Sequence, residues 1–317
     1  MSTIKEVAQR AGLSVSCVSK YLNHPNNVLP ETKEKIDEAI VALNYKPSFI
    51  ARSLRTKRTG IVVVVMESII NPFFAELYDH LHREFEKSGY KTFLYTLSGQ
   101  SFTTDDFSYA DRIVICFPDD DTVISQIESV SAGIPKILLH GHKVSGNFLG
   151  IYCDVGSGSF SAVEYLYKKN CRHFLLVSGA SKSSMTNEKT NAIKKYLKSA
   201  KEKTTCVSHY GSNDFAGGEN AVNSFCDSLN TLDAIICESD ALATGVISRL
   251  LSLDIDIPNK IKVIGYDNIP ISEMYRPSIT TVSIPIKEMC EEAAKNLEKT
   301  SDSDSVYKPT LLIRKTT

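Results

Sequence analysis

Thr3-Ile4-Lys5-Glu6-Val7-Ala8-Gln9-Arg10-Ala11-Gly12-Leu13-Ser14-Val15-Ser16-Cys17-Val18-Ser19-Lys20-Tyr21-Leu22 is the stretch that decides how this chain is organised. Thr3 and Glu6 have the spacing of a capping box, in which a hydroxyl and a carboxylate satisfy free backbone N–H groups at a helix start. Ile4, Val7, Ala8 and Ala11 recur at helical spacing and make one apolar face. Gly12 ends that helix, because glycine tolerates the left-handed conformation of a C-terminal cap. Ser14 caps the next helix. Val15, Val18 and Leu22 are expected to bury its inner face, leaving Ser16, Cys17, Lys20 and Tyr21 outward. A second helix that presents small polar, basic and aromatic groups suits the DNA major groove. Those four residues are the expected base contacts, Tyr21 reaching a base edge or a phosphate, and Arg10 is a phosphate contact or a surface charge.

Charge agrees with this reading. The formal net charge is only -1, yet residues 1–59 carry 10 Lys+Arg against 5 Asp+Glu, and the remainder 26 against 32. A basic head on an acidic body points to a polyanion partner for the head alone. Pro30 fits the first turn of a third helix, with Ile36, Ala39, Ile40 and Leu43 on its apolar face. Pro47 disfavours helix in the residue before it, so Asn44-Tyr45-Lys46-Pro47 is expected to end the helix. Ser48 to Arg55 reads as two turns of helix, too short to be stable alone. Thr56 to Thr59 reads as a basic linker.

From Gly60 the pattern changes. Ile61 to Val65 is a continuous β-branched run, typical of a strand buried on both faces of a parallel sheet. Similar runs recur at Lys91–Tyr95, Arg112–Cys116, Lys136–Leu139, Phe174–Val177, Ala234–Cys237 and Lys262–Ile264. Helical patterns lie at Phe73–Lys87, Ser159–Lys169, Lys189–Ser199, Gly217–Leu229 and Ala241–Leu253. This alternation predicts an α/β core of doubly wound parallel sheets, with ligands at the carboxyl ends of strands. There are too many strands for one compact sheet, so two lobes with a cleft between them are expected.

Several function classes are disfavoured. The eight cysteines lack metal-ligand spacing and sit mostly in apolar runs, which predicts buried thiols in a reducing compartment. The seven histidines are scattered along the chain, and no nucleophilic or paired-carboxylate constellation stands out. Neither an enzyme nor a metal site is expected. Gly156-Ser157-Gly158-Ser159-Phe160-Ser161 lacks the third glycine of a dinucleotide loop and reads as a crossover entering a helix. Gly179-Ala180-Ser181-Lys182-Ser183-Ser184 lacks the Gly-Lys ending of a phosphate loop. No cofactor is implied. Met1 leads directly into a capped helix and no apolar run is long enough to span a bilayer, so a cytoplasmic, membrane-free protein is expected.

The opening residues, with Val18-Ser19, Leu43-Asn44-Tyr45-Lys46-Pro47 and Ala51-Arg52-Ser53-Leu54, resemble the DNA-binding head and hinge of the lactose/galactose repressor (LacI/GalR) family. The resemblance resumes at Asn71-Pro72-Phe73-Phe74, Ser239-Asp240-Ala241-Leu242-Ala243-Thr244-Gly245, Ile264-Gly265-Tyr266-Asp267-Asn268 and Pro277-Ser278-Ile279-Thr280-Thr281-Val282. It implies a homodimeric transcriptional repressor that binds a palindromic operator in double-stranded DNA and responds to a small-molecule effector. The family's usual effector is a sugar or sugar phosphate; a nucleobase is the alternative. The implied organisation is a helix-turn-helix domain at 1–46, a hinge and linker at 47–59, and a periplasmic-binding-protein-like core at 60–317. Lobe one would hold about 60–154 and 284–305, and lobe two about 155–283 and 306–317, with three crossovers. Hinge contacts to DNA fall on Ala51, Leu54 and Arg55, with Leu54 wedged between base pairs in the minor groove.

Effector contacts are expected from Phe73 or Phe74 by stacking, from Asp154 and Asp267 as carboxylates after strands, and from Lys189. Lys189 falls where many members of the family carry an effector-binding arginine, and a lysine cannot reproduce the planar fork of arginine. Two departures stand out. The segment between Leu97 and Asp111 is short, and its expected helix is hard to find. Arg112 stands where the family often has a glycine after aspartate.

Overall fold

The computed structural model describes residues 2–23, 25–46, 53, 58–97, 102–118, 120–179, 183–297 and 303–317. The expected hinge contacts Ala51, Leu54 and Arg55 lie outside the described residues. The chain divides into two compact units, Met1–Gly60 and Ile61–Thr317.

The first unit holds α1 (Ile4–Ala11), α2 (Val15–Asn23) and α3 (Pro30–Ala42). The capping box of Thr3 and Glu6 is formed, and Gly12 sits at φ 67°, the left-handed cap. The Ser14 hydroxyl accepts the Cys17 N–H at 3.2 Å. Val7, Ala8, Val18, Ile36 and Ala39 form the core, with Ile4, Ala11, Leu22 and Leu43 packed around it. Val15 corrects the expected inner face of α2: it is 40% exposed. It stands in the first turn of α2, next to the tight turn. Pro47 does not end α3. The chain turns left-handed at Asn44 (φ 44°), and the Tyr45 N–H reaches back to the Ile40 carbonyl at 2.9 Å, a local cap that acts before the proline.

The second unit contains two six-stranded sheets among the described residues. The first contains β1 (Ile61–Met66), β2 (Lys91–Thr96), β3 (Arg112–Cys116), β4 (Lys136–His140), β5 (Leu149–Cys153) and β11 (Ser305–Tyr307). Its order is β2-β1-β3-β4-β5-β11, all parallel. The second contains β6 (His173–Ser178), β7 (Thr205–Tyr210), β8 (Ala234–Cys237), β9 (Lys262–Asp267), β10 (Thr280–Ser283) and β12 (Thr310–Leu312). Its order is β7-β6-β8-β9-β10-β12, parallel except for β12. Strands β5, β7, β10, β11 and β12 were not foreseen. β7 alternates exposed and half-buried residues on a sheet edge, so it lacks the continuous apolar run of a central strand.

The chain changes sheet three times: after β5, after β10 and after β11. Helix α6 (Val155–Lys168) opens the second lobe, so the Gly156-Ser157-Gly158 segment is the start of a crossover helix. Helix α11 (Ile286–Lys295) returns to pack on α4 (Pro72–Lys87) in the first. Strand β11 keeps Val306 and Tyr307 in the first sheet, slightly past the expected crossing. One continuous apolar core runs through both lobes, from Phe73 and Phe85 to Phe174 and Tyr266. Arg112 earns its place here: its guanidinium donates to the Leu297 carbonyl at 2.8 Å, beyond the end of α11.

Candidate effector cleft and DNA-reading head

Several strand ends carry carboxylates: Asp154 follows β5, Glu238 follows β8 and Asp267 ends β9. Asp267 ends β9 at φ 100°, and Asn268 follows at φ 65°. Two consecutive left-handed non-glycine residues are strained, so other groups must hold them. Asp240, fully buried, accepts the Ile269 N–H at 3.0 Å. Arg314 donates to the Asn268 side chain at 2.7 Å and to the Ser272 hydroxyl at 3.0 Å. Gly265 lies under Asp240, where a Cβ would strike the carboxylate.

Desolvation raises the Asp267 carboxyl to about 7; the nearby Lys189 ammonium opposes the rise, and Glu238 and Glu76 add to it. Lys189 is 7% exposed. Its ammonium lies 3.9 Å from the centre of the Tyr266 ring and donates to the Glu238 carbonyl at 3.1 Å. Burial, a ring face and a carbonyl thus hold this lysine in place of a surface ion pair. The Tyr266 hydroxyl donates to the Val155 carbonyl at 2.9 Å, tying β9 to the first crossover. Ser159, Ser178, Thr190 and Glu238 complete a small enclosed space around Lys189 and Tyr266.

Glu238 was missed in the sequence. Its carboxylate accepts the Gly179 N–H at 2.8 Å and the Thr186 hydroxyl at 2.6 Å, which draws the loop after β6 and the start of α7 (Ser184–Ser199) to the end of β8. The strand-end rule that picked out Asp267 applies equally to Glu238, one residue after Cys237.

Two of the expected contacts, Phe73 and Asp154, also serve the fold. Phe73 is 5% exposed and packs edge-on against Phe117, with ring centres 5.4 Å apart, so it belongs to the core. Phe74 is half-buried beside it. Asp154 caps α6, accepting the Ser157 N–H at 2.9 Å. Ser183 likewise caps α7 through the Thr186 N–H.

On lobe one the strand ends bring together a cluster that sequence reading set aside. The Nε2 atoms of His140 and His142 each lie 3.1 Å from an oxygen of Asp121. Ser184, from lobe two, donates to the same carboxylate at 2.9 Å. The contact from His140, with those from Ser184 and His142, holds the Asp121 carboxyl well below the usual range, against partial burial. Burial pushes the His140 imidazole down, and Asp121 only partly offsets this. Two of the seven histidines, His140 and His142, thus meet the carboxylate of Asp121, 19 and 21 residues away in the chain.

In the head, Arg10, Ser16 and Lys20 are exposed and Cys17 is half-buried on α2. Tyr21 is turned back: its hydroxyl donates to the Asp37 carboxylate of α3 at 2.6 Å, and its ring packs on the head core. Helix α2 thus offers a short polar and basic face with Tyr21 at its margin. No described helix is long and apolar enough to cross a membrane.

Comparison with known proteins matches both units. Residues 3–48 fit the model of the bacterial regulatory proteins of the lacI family, and residues 163–317 the periplasmic binding protein-like domain. The ribose operon repressor of Lactococcus lactis is 29% identical over 322 residues, covering 97% of this chain and 94% of that protein. The HTH-type transcriptional repressor PurR of Vibrio vulnificus is 28% identical over 314 residues, covering 96% and 93%. A lac repressor dimer bound to operator and an anti-inducer superposes with a TM-score of 0.85 at 19% identity, covering 99% of this chain and 98% of that one. A ribose-bound regulator from Enterococcus faecium covers 81% and 98% with a TM-score of 0.72 at 21% identity. Similar end to end to transcriptional repressors, the chain carries a LacI-family DNA-binding domain and a periplasmic-binding-protein-like domain.

Proposed function

We propose that this protein is a ligand-responsive transcriptional repressor that binds a palindromic operator as a homodimer and takes a sugar between its lobes. One helix-turn-helix reads too few bases to find a genomic site, so two must act together. Ser16, Cys17 and Lys20 read base edges, and Arg10 contacts phosphate. Tyr21, held by Asp37, contributes from the margin of the face. In the hinge, Ala51, Leu54 and Arg55 complete the DNA contacts, with Leu54 entering the minor groove.

The observation that carries the effector reading is the Asp267 carboxylate. It ends strand β9, the two residues after it are pinned by Arg314 at Asn268 and by Asp240 at Ile269, and the Lys189 ammonium favours its ionised form. A carboxylate with spare lone pairs accepts the hydroxyl hydrogens of a sugar. Lys189 adds a point charge that also suits a sugar phosphate. Phe74, the more exposed of the two phenylalanines, offers a ring edge from lobe one. Asp154 remains a cap that also borders the seam. Similarity to a ribose operon repressor supports a pentose, and similarity to PurR supports a purine as the second reading.

Two measurements test this. A thermal-shift screen of pentoses, hexoses, their phosphates and purines should single out one class, since a bound ligand stabilises the folded state by mass action. Asp267→Ala should remove that shift. Operator selection from random DNA should return a palindrome whose affinity falls steeply with salt. Failure to enrich any DNA would end the repressor reading, and a shift that survives Asp267→Ala would remove this carboxylate from the site.

A further inference from the structure

We propose that Asp121, His140 and His142 form a binding site for a single divalent transition-metal ion of the zinc class, on lobe one at the seam with lobe two. One donor atom from each residue lies within 4.8 Å of the other two. Two imidazoles and one carboxylate make the donor set that zinc and its neighbours favour, with bonds of about 2 Å. Small side-chain shifts suffice to close the three donors around an ion. His140-Gly141-His142 delivers both rings from one strand end, with ring centres 4.4 Å apart.

The hydrogen bonds of the cluster define which ring atoms face Asp121. His140 is fully buried, and its Nδ1 has no hydrogen-bond partner among the described residues; the same holds for Nδ1 of His142. For both Nε2 contacts to Asp121 to be hydrogen bonds, each Nε2 must carry the proton. Each Nδ1 then holds a bare lone pair with no donor to meet it, which is costly in a buried site. A cation held by Nε2 of each ring and an oxygen of Asp121 meets three lone pairs at once and neutralises the carboxylate, each ring then carrying its proton on Nδ1.

The fourth position faces lobe two. Ser184 donates to Asp121 at 2.9 Å, and Met185 packs so close to Gly141 that a Cβ there would touch its sulfur. Gly141 therefore lets the second lobe close over the ring pair. A water molecule or the Ser184 hydroxyl completes a four-coordinate ion.

The test uses untagged full-length protein, stripped with chelator, dialysed and titrated with Zn²⁺ by calorimetry, without DNA or sugar. The expected result is one high-affinity equivalent per chain. Removing even an outer-shell group typically costs 10–100-fold in metal affinity, so Asp121→Asn and His142→Gln should each weaken binding by roughly tenfold or more. The double variant His140→Gln/His142→Gln should abolish it. His142 is only half-buried, so its single variant decides the matter even if loss of buried His140 unfolds the lobe. Co²⁺ substitution gives an independent reading, because a nitrogen–oxygen site shows visible d–d bands without the near-ultraviolet charge transfer of thiolate ligands. No stoichiometric uptake would overturn the proposal. So would uptake that persists unchanged in Asp121→Asn and His142→Gln, or a thiolate spectrum, both of which would place the ion on cysteines. Because neither operator nor sugar enters the experiment, its outcome is separate from that of the repressor reading.

Discussion

The two lobes share one strand order but fill the space beside it differently. In lobe two, β7 leads to α8 (Phe215–Ser224), which packs on α9 (Asp240–Ser252). Their approach depends on glycine: a Cβ on Gly218 would run into the Leu242 carbonyl, and one on Gly245 into the Phe215 carbonyl. In lobe one, the segment after β2 has only a 3-10 turn, Thr104–Asp106, among its described residues. Aromatic side chains fill the space. Phe107 is fully buried, 5.8 Å between ring centres from both Tyr95 and Phe102. Backbone topology is thus conserved between the lobes while the filling is negotiable, because a core needs volume and apolar surface more than a particular element.

Phe107→Ala should break this comparison most strongly. Removing a fully buried phenylalanine costs about 3–5 kcal/mol. Hydrogen exchange should accelerate in β1, β2 and β3 and remain slow in β6 and β8. Equal acceleration in both sheets would mean that the aromatic cluster does not stand in for a helix of lobe one.

Gly218→Ala tests the other lobe. Alanine favours helix by about 1 kcal/mol over glycine on propensity alone. Here the added methyl must push backbone apart, and overpacking of this kind costs about 1–3 kcal/mol. Urea denaturation should therefore show net destabilisation; a stabilised variant would show that α8 and α9 have slack.

The lobe-two side of the cleft also carries a pH signature. An unfolded aspartate titrates near about 3.9, whereas folded Asp267 titrates near about 7. Between those values the folded state binds more protons. The stability from this group is therefore full below about 4 and is lost as pH rises towards about 7. Asp267→Asn should flatten the stability profile in that window. Sugar binding runs the opposite way, because the ionised carboxylate is the better acceptor. Affinity should rise about tenfold between pH 6 and pH 8, following the ionised fraction. A flat affinity profile would place the hydroxyl acceptor elsewhere.

Phe93→Ala should have the smallest effect. Phe93 lies on edge strand β2, 52% exposed, with its ring 5.6 Å edge-on from Tyr109. Loss of one exposed aromatic pair costs about 0.5–1.5 kcal/mol. A cost near that of Phe107→Ala would extend the lobe-one core out to its edge.

Local patterns were readable wherever one residue's neighbours in the chain set its environment. The capping box at Thr3, the left-handed cap at Gly12 and the apolar runs of β1, β3 and β8 are short-range features, and the structure has all of them. The head, the alternating strands and helices, and the two-lobed core followed from these, as did Asp267 at the end of a strand. The shortness of the chain between Leu97 and Asp111 also showed, and its described residues hold only the 3-10 turn Thr104–Asp106.

Only tertiary structure decided which strand-end residues meet. Phe73 and Phe74 are adjacent and alike, yet the position of Phe117 sends one into the core and leaves the other half-exposed. Tyr21 was read as outward because α2 alone gives it no partner; Asp37 arrives only when α3 folds back. Asp121, His140 and Ser184 come from three elements and carry no shared spacing. Periodicity reports which face of an element avoids water, a property of the element alone. Hydrogen-bond and charge partners depend on where separate elements end in space, which sheet order and the three crossovers between the lobes determine.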